Sequence, residues 1–150
     1  MKPYIVLSTE PWRSTPTRTQ QLTTRLRDGE VLFFEPFHGN GPGHKAPGRR
    51  VRPNVTVYTL PPVRPLPEQA ELLRRRLWRR QADFIQRTAS RHRFRDAVLW
   101  TTCPDQVHLL DFLSFQGLIY DCDTDWSSLP LQWDCLLYTS PSPRDRTRSR

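Results

Sequence analysis

The sequence predicts an open, doubly wound α/β sheet of mostly parallel strands with helices on both faces. Three observations predict it. Apolar runs of strand length recur, as at Tyr4–Ser8 and Val31–Phe34, and strands buried on both faces read this way. Segments of helical character separate successive runs, which suits parallel pairing through crossover connections. The 150 residues are 36% hydrophobic with 5 Trp, 7 Phe and 4 Tyr, enough for one modest core but not for two full domains.

Each element has its own local signal. Tyr4-Ile-Val-Leu-Ser8 is the first strand. After the loop Thr9–Ser14, Ser14 or Thr15 can cap a helix, with Pro16 at or near its first position, where a missing N–H costs nothing. Leu22 and Leu26 share a face at i, i+4, and Gly29 is expected to stop this helix. Val31–Phe34 is the second strand, so the first 35 residues form a βαβ unit. His38–Arg50 reads as a loop. Gly39, Gly41 and Gly43 miss the G-x-G-x-x-G spacing of a phosphate cradle, and no helix follows them directly. Val55-Thr-Val-Tyr-Thr59 alternates as a third strand, closed by Pro61-Pro62. The longest helix is expected from about Pro67 to Arg91, with Ala70, Leu73, Leu77, Phe84, Ile85 and Thr88 along its inner side. Ala97–Thr101 is the fourth strand. Pro104 opens a short helix whose Val107 and Leu110 are expected to pack on the sheet, and Gly117–Asp121 is the fifth strand.

Composition narrows the function classes. No apolar run approaches the ~20 residues of a membrane-spanning helix, and the N-terminus is too polar for a secretory leader. A cytoplasmic protein is expected. The formal charge of +8 comes from 23 Lys+Arg against 15 Asp+Glu, and only Lys2 and Lys45 are lysines. Such arginine dominance suits a GC-rich genome as well as a phosphate-binding surface. Residues 135–150, from Cys135 to Arg150, resemble a translated sequencing adapter. They are expected to be a non-native, disordered tail, and without them the charge falls to +5. Residues 1–134 are then expected to be the truncated beginning of a longer protein.

Ligands of open α/β sheets bind beyond the carboxyl ends of the strands. Three segments fall there: Thr9–Arg13, Thr101–Asp105 and Asp121–Asp125. Trp12 offers a flat apolar face, while Arg13 and Arg18 can fork onto a phosphate. Asp121, Asp123 and Asp125 twice spell D-x-D, a pattern that can hold Mg²⁺ or Mn²⁺. The same carboxylates can face substrate or serve a turn. On the long helix Arg74, Arg75, Arg76, Arg79, Arg80, Arg87 and Arg91 read as a solvated face, an anionic-membrane surface or a nucleic-acid surface. Cys103 and Cys122 read as buried thiols with no zinc spacing. Of the four histidines, only His108 falls near the expected cleft, where a packing role is favoured.

Pro11-Trp12, Arg18-Thr-Gln-Gln-Leu22, Val31-Leu-Phe-Phe-Glu-Pro36 and Tyr120-Asp-Cys-Asp-Thr-Asp-Trp-Ser127 together resemble the N-terminal half of bacterial two-domain (GT-B) glycosyltransferases. The similarity is greatest to the family-4-like group that includes teichuronic-acid biosynthesis enzymes. That group commonly has Tyr-Asp-Cys-x-Asp-Asp in the last motif. Here Thr124 replaces the first Asp of the closing pair, leaving Asp121 and Asp125 as the matched carboxylates. The resemblance covers essentially all of residues 1–134. It implies a Rossmann-like acceptor-side domain of an enzyme of polysaccharide biosynthesis that uses a nucleotide-sugar donor and a glycan or lipid-linked acceptor. It also implies no cofactor and no metal. A peripheral contact with the inner face of the cell membrane fits such an acceptor; nucleic acid does not. On this reading Trp12, Arg13 and Arg18 border the phosphate end of the cleft, and Asp121 and Asp125 lie near the acceptor hydroxyl. The catalytic residues are not identified, and the donor-binding domain would lie beyond this chain, leaving the fragment inactive. A metal-dependent single-domain glycosyltransferase and a non-enzymatic arginine-rich module are the alternatives.

Overall fold

Strand-length apolar runs need partners on both edges and cover on both faces, and the sheet supplies them. The computed structural model describes residues 2–38, 43–63, 66–67 and 69–122. The expected disorder of the tail concerns residues outside this set. Six strands, β1 (Tyr4–Leu7), β2 (Val31–Glu35), β3 (Arg49–Arg52), β4 (Val55–Thr59), β5 (Val98–Thr101) and β6 (Gly117–Tyr120), form one sheet in the order β3-β4-β2-β1-β5-β6. All pairs are parallel except β3 with β4. The parallel strands thus run third, second, first, fourth, fifth in chain order, and the direction of winding reverses at β1.

Alternation along the strands divides the core into two layers. Ile5, Leu7, Leu32, Phe34 and Leu99 face helix α2 (Glu71–Arg91), meeting Ala82, Ile85 and Ala89, and they also meet Leu109 of α3 (Val107–Leu110). Val6, Val31, Phe33, Val55, Val57 and Trp100 face the other way, against Leu22 of α1 (Arg18–Thr23) and Leu26 beyond it. Helices therefore cover both faces of a mixed, mostly parallel α/β sheet. Among the described residues no helix is long and apolar enough to cross a membrane.

Several local expectations change. Strand β3 occupies residues 49–52, partly within the segment read as loop. Its Arg-Arg-Val-Arg sequence has no apolar alternation, because as an edge strand it contributes backbone pairing to β4 and only Val51 to the core. The cap of α1 is Thr17: its hydroxyl accepts from Gln20 N, and Gln20 Oε1 accepts from Thr17 N at 3.1 Å, a capping box. Pro16 consequently lies just outside the helix. Gly29 does not stop α1, which ends at Thr23. It is buried, and a Cβ there would lie 2.4 Å from Lys2 O, so glycine is what lets the chain pass beside the start of β1.

Helix α2 begins at Glu71 rather than Pro67, and its first half lies off the core. Its buried residues start at Gln81, whose Nε2 donates to Pro61 O at 2.9 Å, whereas Leu72 is 79% and Leu73 51% exposed. Geometry explains this. The strands span four or five residues, about 15 Å, whereas 21 helical residues extend about 32 Å. The overshooting turns rest on the α3 segment instead: the Trp78 and His108 rings lie 5.5 Å apart, and the Arg75 guanidinium lies 5.8 Å from the centre of Phe112. In α3 Leu110 packs partly buried against the core as expected, but the fully buried residue is Leu109, and Val107 is exposed. A 3₁₀ turn at Pro104–Gln106 precedes it, and three residues per turn shift the phase that α-helical spacing assumes.

Candidate functional site

The carboxyl ends of β2, β1, β5 and β6 lie side by side, and the loops leaving these four strands define the site. Reversal of winding at β1 places the topological switch point between β1 and β5, where open α/β sheets bind ligands. That junction is stitched by side chains. Thr102 Oγ1 and Gln106 Nε2 both donate to Leu7 O, at 3.2 and 3.1 Å, and Gln106 Oε1 accepts from the N–H groups of Thr102 (2.9 Å) and Cys103 (3.2 Å). Gln106 thereby locks the loop after β5 onto the end of β1. Sequence reasoning missed it, because nothing in a Pro-Asp-Gln turn marks the glutamine that will be buried.

Arg18 and Asp121 meet across this edge. Arg18, the first residue of α1, places Nη2 2.9 Å from Asp121 Oδ1; the arginine side chain is 60% exposed and that of the aspartate 12%. Asp121 comes directly after β6, and its N–H donates to Thr101 O at 2.9 Å, which continues the β5–β6 ladder one residue and aims the carboxylate back over the sheet end. Among the described residues, Asp121 Oδ2 is buried with no hydrogen-bond partner, and Asp105 Oδ1 in the loop after the neighbouring β5 is in the same condition. An ionised carboxylate only accepts hydrogen bonds, so these two oxygens are unmet acceptors buried beneath the surface of this edge. Arg18 pairs with the other oxygen of Asp121 in a charge-assisted hydrogen bond.

Trp12 and Arg13 belong to the adjacent loop after β1. The Trp12 and Phe33 rings meet perpendicular to each other, centroids 5.0 Å apart, and Trp12 packs partly buried against the α1-side core layer. The backbone N–H of Trp12 donates to Glu35 Oε2 at 2.7 Å. Arg13 has an exposed side chain, and its backbone is clasped by Gln20, which accepts from Arg13 N (3.4 Å) and donates to Arg13 O (3.1 Å). Trp12 and Asp121 share the carboxyl edge but stand three strand spacings apart, roughly 14 Å, so the structure brings together Arg18 and Asp121 and leaves Trp12 at the β2 end. Asp125, with Asp123 and Thr124, lies outside the described residues. Among the described residues no group of three or more His, Cys, Asp or Glu is placed to hold a metal ion.

Glu35 organises the β2 end, a role its place within the Val31–Pro36 motif does not announce. It is buried at the end of a central strand, accepting from Trp12 N, from Thr59 Oγ1 at 3.0 Å and from Arg49 Nη2 at 3.3 Å. The signal that could have found it is a single acid ending an otherwise apolar run. Cys103 is buried, its thiol accepting from the N–H groups that open the 3₁₀ turn; burial, with the Asp105 charge beside it, pushes its pKa from 9.0 to about 11. Cys122, expected buried, is exposed. His108 is exposed and packs on Trp78, a packing role. Compared with protein-family models, curated proteins and solved structures, the chain matches none.

Proposed function

We propose that residues 1–134 are the acceptor-side, Rossmann-like domain of a two-domain glycosyltransferase that moves a sugar from a nucleotide-sugar to an envelope or capsule polysaccharide acceptor. The motif resemblance supplies the family, and the parallel strand order, reversing at β1, suits the fold it implies. The observation that carries the reading is the Arg18–Asp121 pair at the strand ends, a cation and a carboxylate held side by side where open α/β sheets bind ligands. A carboxylate so placed accepts a hydrogen bond from a sugar hydroxyl that reaches it. Holding that hydroxyl in line with the donor's anomeric carbon is the positioning on which such catalysis rests. Arg18 and Arg13 then border the side where the diphosphate departs, and positive charge there favours its leaving. Donor binding belongs to a second domain.

The test uses the uninterrupted gene beyond codon 134. Its product is expected to carry a second βαβ series and to transfer sugar from a nucleotide-sugar. Asp121→Asn in that enzyme should raise the acceptor KM or lower kcat by about 10- to 100-fold. The 150-residue chain alone should turn over no nucleotide-sugar. Mn²⁺-dependent turnover by this chain would overturn the proposal in favour of a single-domain, metal-dependent enzyme.

A further inference from the structure

We propose that the outward face of α2 is a docking surface for an anionic lipid bilayer, with Leu72 and Leu73 entering the acyl boundary and Arg76, Arg79, Arg80 and Arg87 contacting headgroup phosphates. At 100° per residue these six side chains fall within an arc of about 120°, and all six residues are exposed. Asp83 is the one acid in that arc, so the face carries a net positive charge. The exposed leucines occupy the end of the helix that overshoots the sheet, away from any core layer. Arginines along a helix with leucines at one end match a bilayer's two zones, phosphate outside and hydrocarbon beneath. Nucleic acid would satisfy the arginines but offers the leucines nothing apolar. A second copy of this chain packed on the same face would oppose arginine to arginine. A bilayer satisfies both halves of the face.

The placement has a consequence for orientation. The first turns of α2 extend beyond the carboxyl edge of the sheet, and α1 covers the opposite face, so docking through α2 sets that edge, with Asp121, alongside the lipid surface and leaves Arg18 on the side away from it. A lipid-linked acceptor would then enter at the membrane surface; that last point rests on the proposed function, whereas docking rests on the helix alone.

Vesicle co-sedimentation of the 150-residue chain tests it at about 0.15 M salt. Binding is expected to vesicles of phosphatidylglycerol and phosphatidylcholine and not to phosphatidylcholine alone. Arg76→Gln/Arg79→Gln/Arg80→Gln/Arg87→Gln should weaken binding by about a hundredfold or more, since each arginine near the surface is worth about fivefold. Leu72→Asn/Leu73→Asn should weaken it by about tenfold or more. Arg25→Gln/Arg27→Gln/Arg52→Gln/Arg95→Gln removes as many charges from other exposed positions and should bind as the parent does. Circular dichroism checks that each variant is folded. Equal losses in the two arginine variants would overturn the proposal as unspecific basicity. Binding indifferent to the leucine change, with tighter binding to duplex DNA through the same arginines, would overturn it in favour of a nucleic-acid surface.

Discussion

Cys103 shows how burial sets the chemistry of one atom. Its thiol is held neutral by desolvation, with its pKa near 11 instead of 9.0, so the folded chain holds this proton more tightly than the unfolded one. The stability linked to it is complete below about pH 9 and is lost as pH rises toward about 11. Two pKa units correspond to roughly 2–3 kcal/mol. Urea unfolding across that range should show the loss in the parent chain, and Cys103→Ala should lack that component; identical pH profiles would show that the thiol is not responsible. Glu35 makes the complementary case. Its carboxylate serves Trp12, Thr59 and Arg49 at once, and Glu35→Ala strands those donors. A cost of about 3–5 kcal/mol is expected, with faster hydrogen exchange at the Trp12 amide as the local readout. Unchanged protection at Trp12 would mean that the loop after β1 is held by Gln20 alone.

Helix α2 divides into halves with different work to do. Gln81 to Ala89 contribute the buried face, while the turns before them rest on the α3 segment and on the chain entering the helix at Leu66 and Pro67. Ile85→Ala should therefore cost about 2–5 kcal/mol, and Leu72→Ala, at 79% exposure, should change stability by no more than about 0.5 kcal/mol. Equal costs in chemical denaturation would contradict the division. Periodicity in the sequence marks the helix and its inner side, including Ile85 and Thr88, yet it also assigns Leu73 to that side. Spacing tells which residues share a face; it does not tell how far the partner layer extends. The same limit explains β3, whose pairing is a backbone matter, and α1, whose cap is Thr17 because Gln20 completes a reciprocal bond there.

Across the molecule, β6 ends the described sheet with an apolar edge. Leu118, Ile119 and Tyr120 are 46%, 40% and 48% exposed on a strand whose partner among the described strands is β5. Exposed apolar edges invite pairing with other chains. Ile119→Lys should thus reduce concentration-dependent association in light scattering while leaving the unfolding midpoint nearly unchanged; association that persists would place the sticky surface elsewhere. The sheet is anchored in its centre, where β1 and β2 are almost wholly buried, and is least covered at its two edges, β3 and β6.

Local chemistry determined which segments became the five parallel strands and three helices, since apolar runs, proline and capping residues act within a few positions of themselves. Tertiary structure decided the antiparallel edge, the order of strands, and which polar groups meet. Arg18 and Asp121 are 103 residues apart, and Gln106 reaches Leu7 across 99; no short-range preference encodes such pairs. They form because pairing the strands in this register brings their carboxyl ends side by side.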